Sequence, residues 1–377
     1  MTRAIRALSL TALVAAGLAG PVAAQAGLTL PPDGDNQRST VTQQIGLVRV
    51  TVDYSSPDVH APNGDDRRGK IWGGLVPYGM AALGFGTCGD QCPWRGGANE
   101  NTVFTTTHDV KVQGQSLPAG SYGLHFIPGA DEWTVIFSKN HTSWGSFFYD
   151  AKEDALRVTA KPEKSEYHEW LSYEFTDRHP DKATVALKWE DLQVPFTVAV
   201  DNATDLYLAS LGRELRSEPG FTWQGWANAA QYALANKANA QALEWATQAA
   251  SQGTGQANFT TLSTLARAQE ANGKADEAKK TLEMALNHPT AGAFDLHLFA
   301  RQLQAQGKND EAMRIFELNV KRHPGEWPVA FGLARGYAGL GKTKEAIDAA
   351  RKSLAQAPDA AAKANVENFI KQLESAK

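Results

Sequence analysis

The residues best suited to chemistry lie in one short run, WRGGANE (94–100), and in two strand-like segments elsewhere in the chain. Arg95 offers a planar cation, Asn99 an amide and Glu100 a carboxylate, and the intervening glycines let other groups approach. Asp53 and Tyr54 end an alternating run at a turn-prone Ser55-Ser56-Pro57, and His125 interrupts an otherwise apolar strand. Brought into one cleft, these side chains would set a cation, a carboxylate pair and an imidazole around a ligand or a scissile bond. The plainer reading makes Arg95 and Glu100 an ion pair that pins the loop, and His125 a satisfied core histidine.

Cys88 and Cys92 are the only cysteines, and three residues separate them. In an oxidising compartment they form a local disulfide just ahead of WRGGANE. The alternatives are a redox pair or half of a metal site. The spacing differs from CxxC, and no second pair exists to complete a four-thiolate site. No metal and no cofactor is implied. Stock catalytic signatures are missing: there is no GxSxG elbow and no P-loop. His168-Glu169 is followed by Ser172 where a zincin needs its second histidine, and GFGTCG (84–89) matches a dinucleotide fingerprint in letters only.

The element that must carry these groups is the stretch from Gly69 to Asn101. It is too rich in glycine for a helix and lacks the alternation of a strand, so it reads as a long packed loop on a β scaffold. Val48, Val50 and Val52 alternate with Arg49, Thr51 and Asp53, the pattern of a half-buried strand. Similar runs recur at 103–107, 110–112, 122–127, 133–137, 146–149, 156–160, 170–175, 184–189 and 195–200, divided by Pro- and Gly-containing turns. Many short strands without helical patterning predict an antiparallel sandwich or barrel over 27–200.

At 377 residues the chain exceeds one core, and its 42% apolar and 21% charged content is that of a folded protein. A net charge of −4 gives no reason to expect nucleic acid. Arg3 and Arg6, the apolar run Ala7–Ala19 and the small-x-small Ala24-Gln25-Ala26 read as a signal peptide (1–26) cleaved near Ala26, hence a periplasmic or secreted chain. That apolar run falls short of the roughly 20 residues a membrane span needs, and no later stretch qualifies.

The chained motifs LPPDGDNQ (30–37), VDYSSPDV (52–59), GKIWGGLVPYG (69–79), WRGGANENT (94–102) and LPAGSYGLHFIP (117–128) resemble a family of secreted bacterial proteins whose shared domain has no assigned function. The resemblance implies a domain type and an exported location. It implies no reaction and no catalytic residue.

From Asp205 the period becomes helical, and it repeats. LARAQEANGKADEA (265–278), FARQLQAQGKNDEA (299–312) and LARGYAGLGKTKEA (333–346) superpose without gaps at a spacing of 34, with prolines closing each unit. Glycine at the inter-helix turn and the Ala312, Phe316, Pro324 signature resemble the tetratricopeptide repeat. A linker helix over 201–221 and tetratricopeptide-like repeats over 222–377 complete an α+β multidomain chain. Arg267, Arg301 and Arg335 each follow a small alanine at the same spacing, which predicts one row of guanidinium groups facing a protein or peptide partner. The alternative is that each pairs with an acidic neighbour. Three readings therefore stand: an exported binding and scaffolding protein, an extracytoplasmic enzyme, such as a hydrolase, around Arg95, Glu100 and His125, or a purely structural envelope component with no pocket.

Overall fold

The computed structural model describes residues 36–61 and 63–375. The expected signal peptide and its cleavage point lie outside them. Contacts divide the chain between Asp201 and Asn202 into a β unit and a helical unit.

In the β unit, β2 (Val48–Ser56) shows why a strand forms. Val48, Val50 and Val52 are fully buried, while the residues between them face outward. It pairs with β1 (Gln37–Ile45) and β3 (Thr102–Thr106), and the sheet continues through β6 (Gly120–Ile127), β7 (Trp133–Ser138) and β8 (Asp154–Ala160). A second sheet runs β5 (Gln115–Leu117), β4 (Val110–Val112), β10 (Lys182–Ala199), β9 (Glu163–Thr176), and every strand pairing described is antiparallel. The inner faces meet edge-on: Tyr54 on Tyr173 at 4.9 Å and Phe137 on Phe196 at 6.0 Å. The sandwich reading holds, with two corrections. Residues 146–149 lie at a turn and not in a strand, and 184–189 and 195–199 belong to one 18-residue strand, β10. A bulge interrupts that strand at Glu190, whose φ is 56° and whose buried carboxylate accepts the Gly69 N–H.

The helical unit holds ten α-helices among the described residues. α1 (Ala203–Glu214) packs Leu208 and Leu211 with Leu215 against Trp245. Four hairpins follow: α2 (Trp223–Ala235) with α3 (Asn239–Ala250), α4 (Phe259–Ala271) with α5 (Ala275–Asn287), α6 (Ala293–Ala305) with α7 (Asn309–Arg322), and α8 (Trp327–Gly339) with α9 (Thr343–Leu354). The repeat positions explain themselves. Ala266, Ala300 and Ala334 are buried, as are Ala278, Ala312 and Ala346, because only a small side chain lets the paired helices approach. Gly273, Gly307 and Gly341 turn the chain at φ of 75°, 79° and 71°. α10 (Ala360–Ser375) covers the last hairpin with Val366 and Phe369. No described helix is long and apolar enough to cross a membrane.

Candidate functional site

The loop carrying WRGGANE is held at both ends. Trp94 exchanges backbone hydrogen bonds with Phe126 at 2.8 and 2.7 Å, and the Ala98 N–H donates to the Ser55 carbonyl at 3.0 Å. Between them the Gly96 carbonyl accepts from the Tyr173 hydroxyl at 2.8 Å and from the Thr102 hydroxyl at 3.2 Å. A side chain at Gly96 would put its Cβ 2.5 Å from that Tyr173 oxygen, and the residue sits at φ 63°, so glycine is required twice over.

This anchoring presents Arg95. Its guanidinium lies in a slot between the ring of Phe147, 5.1 Å from Cζ to centroid, and Gly145, where a Cβ would stand 2.5 Å from Cζ. It donates one hydrogen bond, to the Asn99 carbonyl, and no carboxylate pairs with it among the described residues. Burial lowers its pKa, the mark of a cation short of both water and counter-charge.

Arg95 borders a cleft of about 360 Å³ that Val76, Leu83, Trp94, Ser146 and Trp189 also line. Ser146 lies 2.8 Å from Nδ1 of His125. Both are buried, and the imidazole pKa is pushed down to about 3, first by burial and then by the charge of Arg95. His125 is therefore neutral at ordinary pH. Trp189 is 1% exposed, and its indole N–H has no acceptor among the described residues. A second arginine in the lining, Arg67, is already satisfied by Asp58 at 2.7 Å and by backbone carbonyls.

The structure separates the six expected side chains. Arg95 and Asn99 line the cleft, and His125 stands behind Ser146. Glu100 does not pair with Arg95. Asn99 adopts φ 55°, and Glu100 is exposed, 3.7 Å from Arg38 and accepting from the Ser55 hydroxyl at 3.0 Å. Asp53 accepts from the Thr40 hydroxyl on the outer face of the sheet, while Tyr54 is buried on the inner face. Neighbours on a strand point to opposite faces, so these two could never share a cleft. Ser146 and Trp189, which the sequence reading did not single out, complete the cleft from positions far along the chain. Cys88 and Cys92 are joined, with Cα atoms 5.2 Å apart, and pack with Ile136 and Tyr149 beside the cleft wall. Among the described residues no cluster of three or more side chains suits a metal ion.

In the helical unit, Arg267, Arg301 and Arg335 each hold the ninth position of a 13-residue helix, and Gln231 holds it in α2. Gln231 and Arg267 line one depression of about 190 Å³ with Thr264 of α4 and Asp295, Leu298 and Gln302 of α6. Arg267 and Arg301 are exposed, and none of the three guanidinium groups pairs with a carboxylate among the described residues. Arg335 differs: Phe331 and Phe369 lie 4.3 and 5.0 Å from its Cζ, and its pKa falls to about 10 through burial and then the charge of Arg301.

Residues 36–198 match the family model described as Protein of unknown function (DUF2911). No curated protein matches the chain. Solved structures similar to it include YrrB, a TPR protein with an unusual peptide-binding site, at 17% identity over 44% of this chain and 84% of that one, with a TM-score of 0.28. A thermophilic TPR protein of Thermus thermophilus matches at 17% identity over 45% and 90%, TM-score 0.31. MamA matches at 17% over 41% and 88%, TM-score 0.29.

Proposed function

We propose that this chain is an exported binding and scaffolding protein whose helical repeats grip a carboxylate-rich segment of a protein partner. The observation that carries the reading is the row at the ninth helix position, where Arg267, Arg301 and Arg335 stand without a described carboxylate partner. Like charges in a row repel, and the pKa of Arg335 is lowered first by burial and then, to a lesser extent, by the charge of Arg301. An anionic segment laid along the row relieves that repulsion. Packed helices lie about 10 Å apart, and a polyproline II segment has three residues per turn and rises about 3.1 Å per residue, so acids at every third position lie on one face at a spacing of about 9 Å that matches the row. Export is supported by the N-terminal pattern from Arg3 to Ala26 and by a disulfide suited to an oxidising compartment.

The enzyme reading fits the geometry less well. Glu100 stands outside the cleft, and an imidazole with a pKa of about 3 is a weak base near neutrality. The test of the scaffold reading is fluorescence anisotropy with a proline-rich 12-residue peptide of polyproline II conformation carrying Glu at every third position, against its Gln counterpart. Arg301→Glu should weaken binding of the acidic peptide at least about tenfold, with helicity by circular dichroism unchanged. Equal binding of the Gln peptide, or an unchanged affinity in the variant, would refute it.

A further inference from the structure

We propose that the cleft beside Arg95 is a binding site for a small organic acid, with the carboxylate on the Arg95 guanidinium and the apolar body against Val76, Leu83 and Trp94. Two independent observations meet there. The first is a guanidinium fixed between Gly145 and Phe147 that spends one of its N–H groups on the Asn99 carbonyl and has no counter-charge among the described residues. Arginine carries five N–H donors in a rigid fork suited to a carboxylate, and this one is already oriented. The second is Trp189, a residue that borders the same cleft and is 1% exposed, and whose buried indole N–H finds no acceptor among the described residues. A buried donor without an acceptor is costly unless a ligand supplies one.

The class of ligand follows from charge and size. Arg67 is neutralised by Asp58, so the cleft offers one uncompensated positive charge. A monoanion balances it. A phosphate dianion would leave a surplus negative charge among Val76, Leu83 and Trp94, an unfavourable place for it. A volume of about 360 Å³ admits a small molecule. The chain's own rivals for the position are Asp33 and Asp35, which precede Asn36 in the sequence and lie outside the described residues; Asn36 itself lines the cleft.

The experiment is calorimetric titration of the full chain with phenylacetate and hexanoate, with phenylacetamide and inorganic phosphate as comparisons. At least one acid should bind, and the amide and phosphate should bind at least about tenfold more weakly. Arg95→Gln should weaken the acid by roughly 10- to 100-fold, and Arg95→Lys, which keeps the charge but loses the fork, should fall between. Arg95→Gln should also keep or raise the melting temperature of the ligand-free chain, because an uncompensated cation has been removed. The double variant Asp33→Asn, Asp35→Asn should bind the acid within about twofold of the parent. The proposal is overturned if the amide binds as well as the acid, if neither acid binds at millimolar concentration, or if Arg95→Gln leaves affinity unchanged. It is equally overturned if Arg95→Gln or the double variant lowers the melting temperature while the double variant binds the acid more tightly, since Arg95 would then hold a carboxylate of its own chain.

Discussion

The Gly96 carbonyl is a shared acceptor, and sharing predicts non-additivity. It is buried, and it receives the hydroxyls of Tyr173 at 2.8 Å and Thr102 at 3.2 Å, both themselves buried. Tyr173→Phe removes one donor and leaves the other, so it should cost about 1 kcal/mol, the usual net worth of a hydrogen bond. Thr102→Val should cost about the same. The double variant leaves a buried carbonyl with no partner, which adds a desolvation penalty of about 1–3 kcal/mol and brings the total to roughly 3–5 kcal/mol. For a unit of this size 1 kcal/mol shifts the melting temperature by about 2–4 °C. Each single variant should therefore lose about 2–4 °C and the double at least about 6 °C. Tryptophan fluorescence follows the transition, since Trp94, two residues from Gly96, stacks on Trp189 at 6.3 Å within an indole cluster. Additivity within about 0.5 kcal/mol would refute the shared-acceptor argument.

The imidazole of His125 resists protonation in the folded state, its pKa falling from 6.5 to about 3, so the unfolded chain takes up the proton first as pH drops. Its contribution is whole above 6.5 and drains toward about 3, at up to about 1.4 kcal/mol per pH unit; His125→Asn should flatten this acid limb in melts read by tryptophan fluorescence, and an unaltered limb would contradict it. Thiol titration of the exported chain, denatured but not reduced, should find no free thiol, and two thiols would sink the disulfide. Replacing Cys88 and Cys92 by serine should cost about 2 kcal/mol, the loop-entropy value for so short a ring, measured as a lower melting temperature.

The helical repeats were legible because each unit is local. The glycine, the small alanines and the closing proline act within one hairpin, so their spacing in sequence is their spacing in space. β2 was legible because one of its faces is solvated and the alternation survives. β10 read as two strands because Glu190-Asp191 and Pro195 break the alternation at the bulge, and only its pairing with β9 on one stretch and β4 on another shows it to be continuous. The run 146–149 imitates a strand by composition, yet Phe147 stacks on Phe85 from a turn. At the cleft, Arg95 was visible as a loop arginine flanked by glycines. Pairing it with Glu100 relied on nearness along the chain, which the backbone reverses at Asn99. Grouping Asp53 with Tyr54 overlooked the two-residue period that the strand reading itself used. Ser146 and Trp189 carry no local signal, because the fold alone brings them beside Arg95.

β10 also sets the order of events when the chain folds. It is the last strand of the β unit, and its far end must meet β4, as the contact between Thr197 and Gln113, 84 residues apart, records. The second sheet therefore stays open until the whole unit is available, and its closure carries the entropy of a long loop. The helical hairpins need only their own two helices and the neighbour before them. The unit that leaves the ribosome first is thus the one whose topology completes more slowly, and for that interval its unpaired strands are exposed to the company they meet.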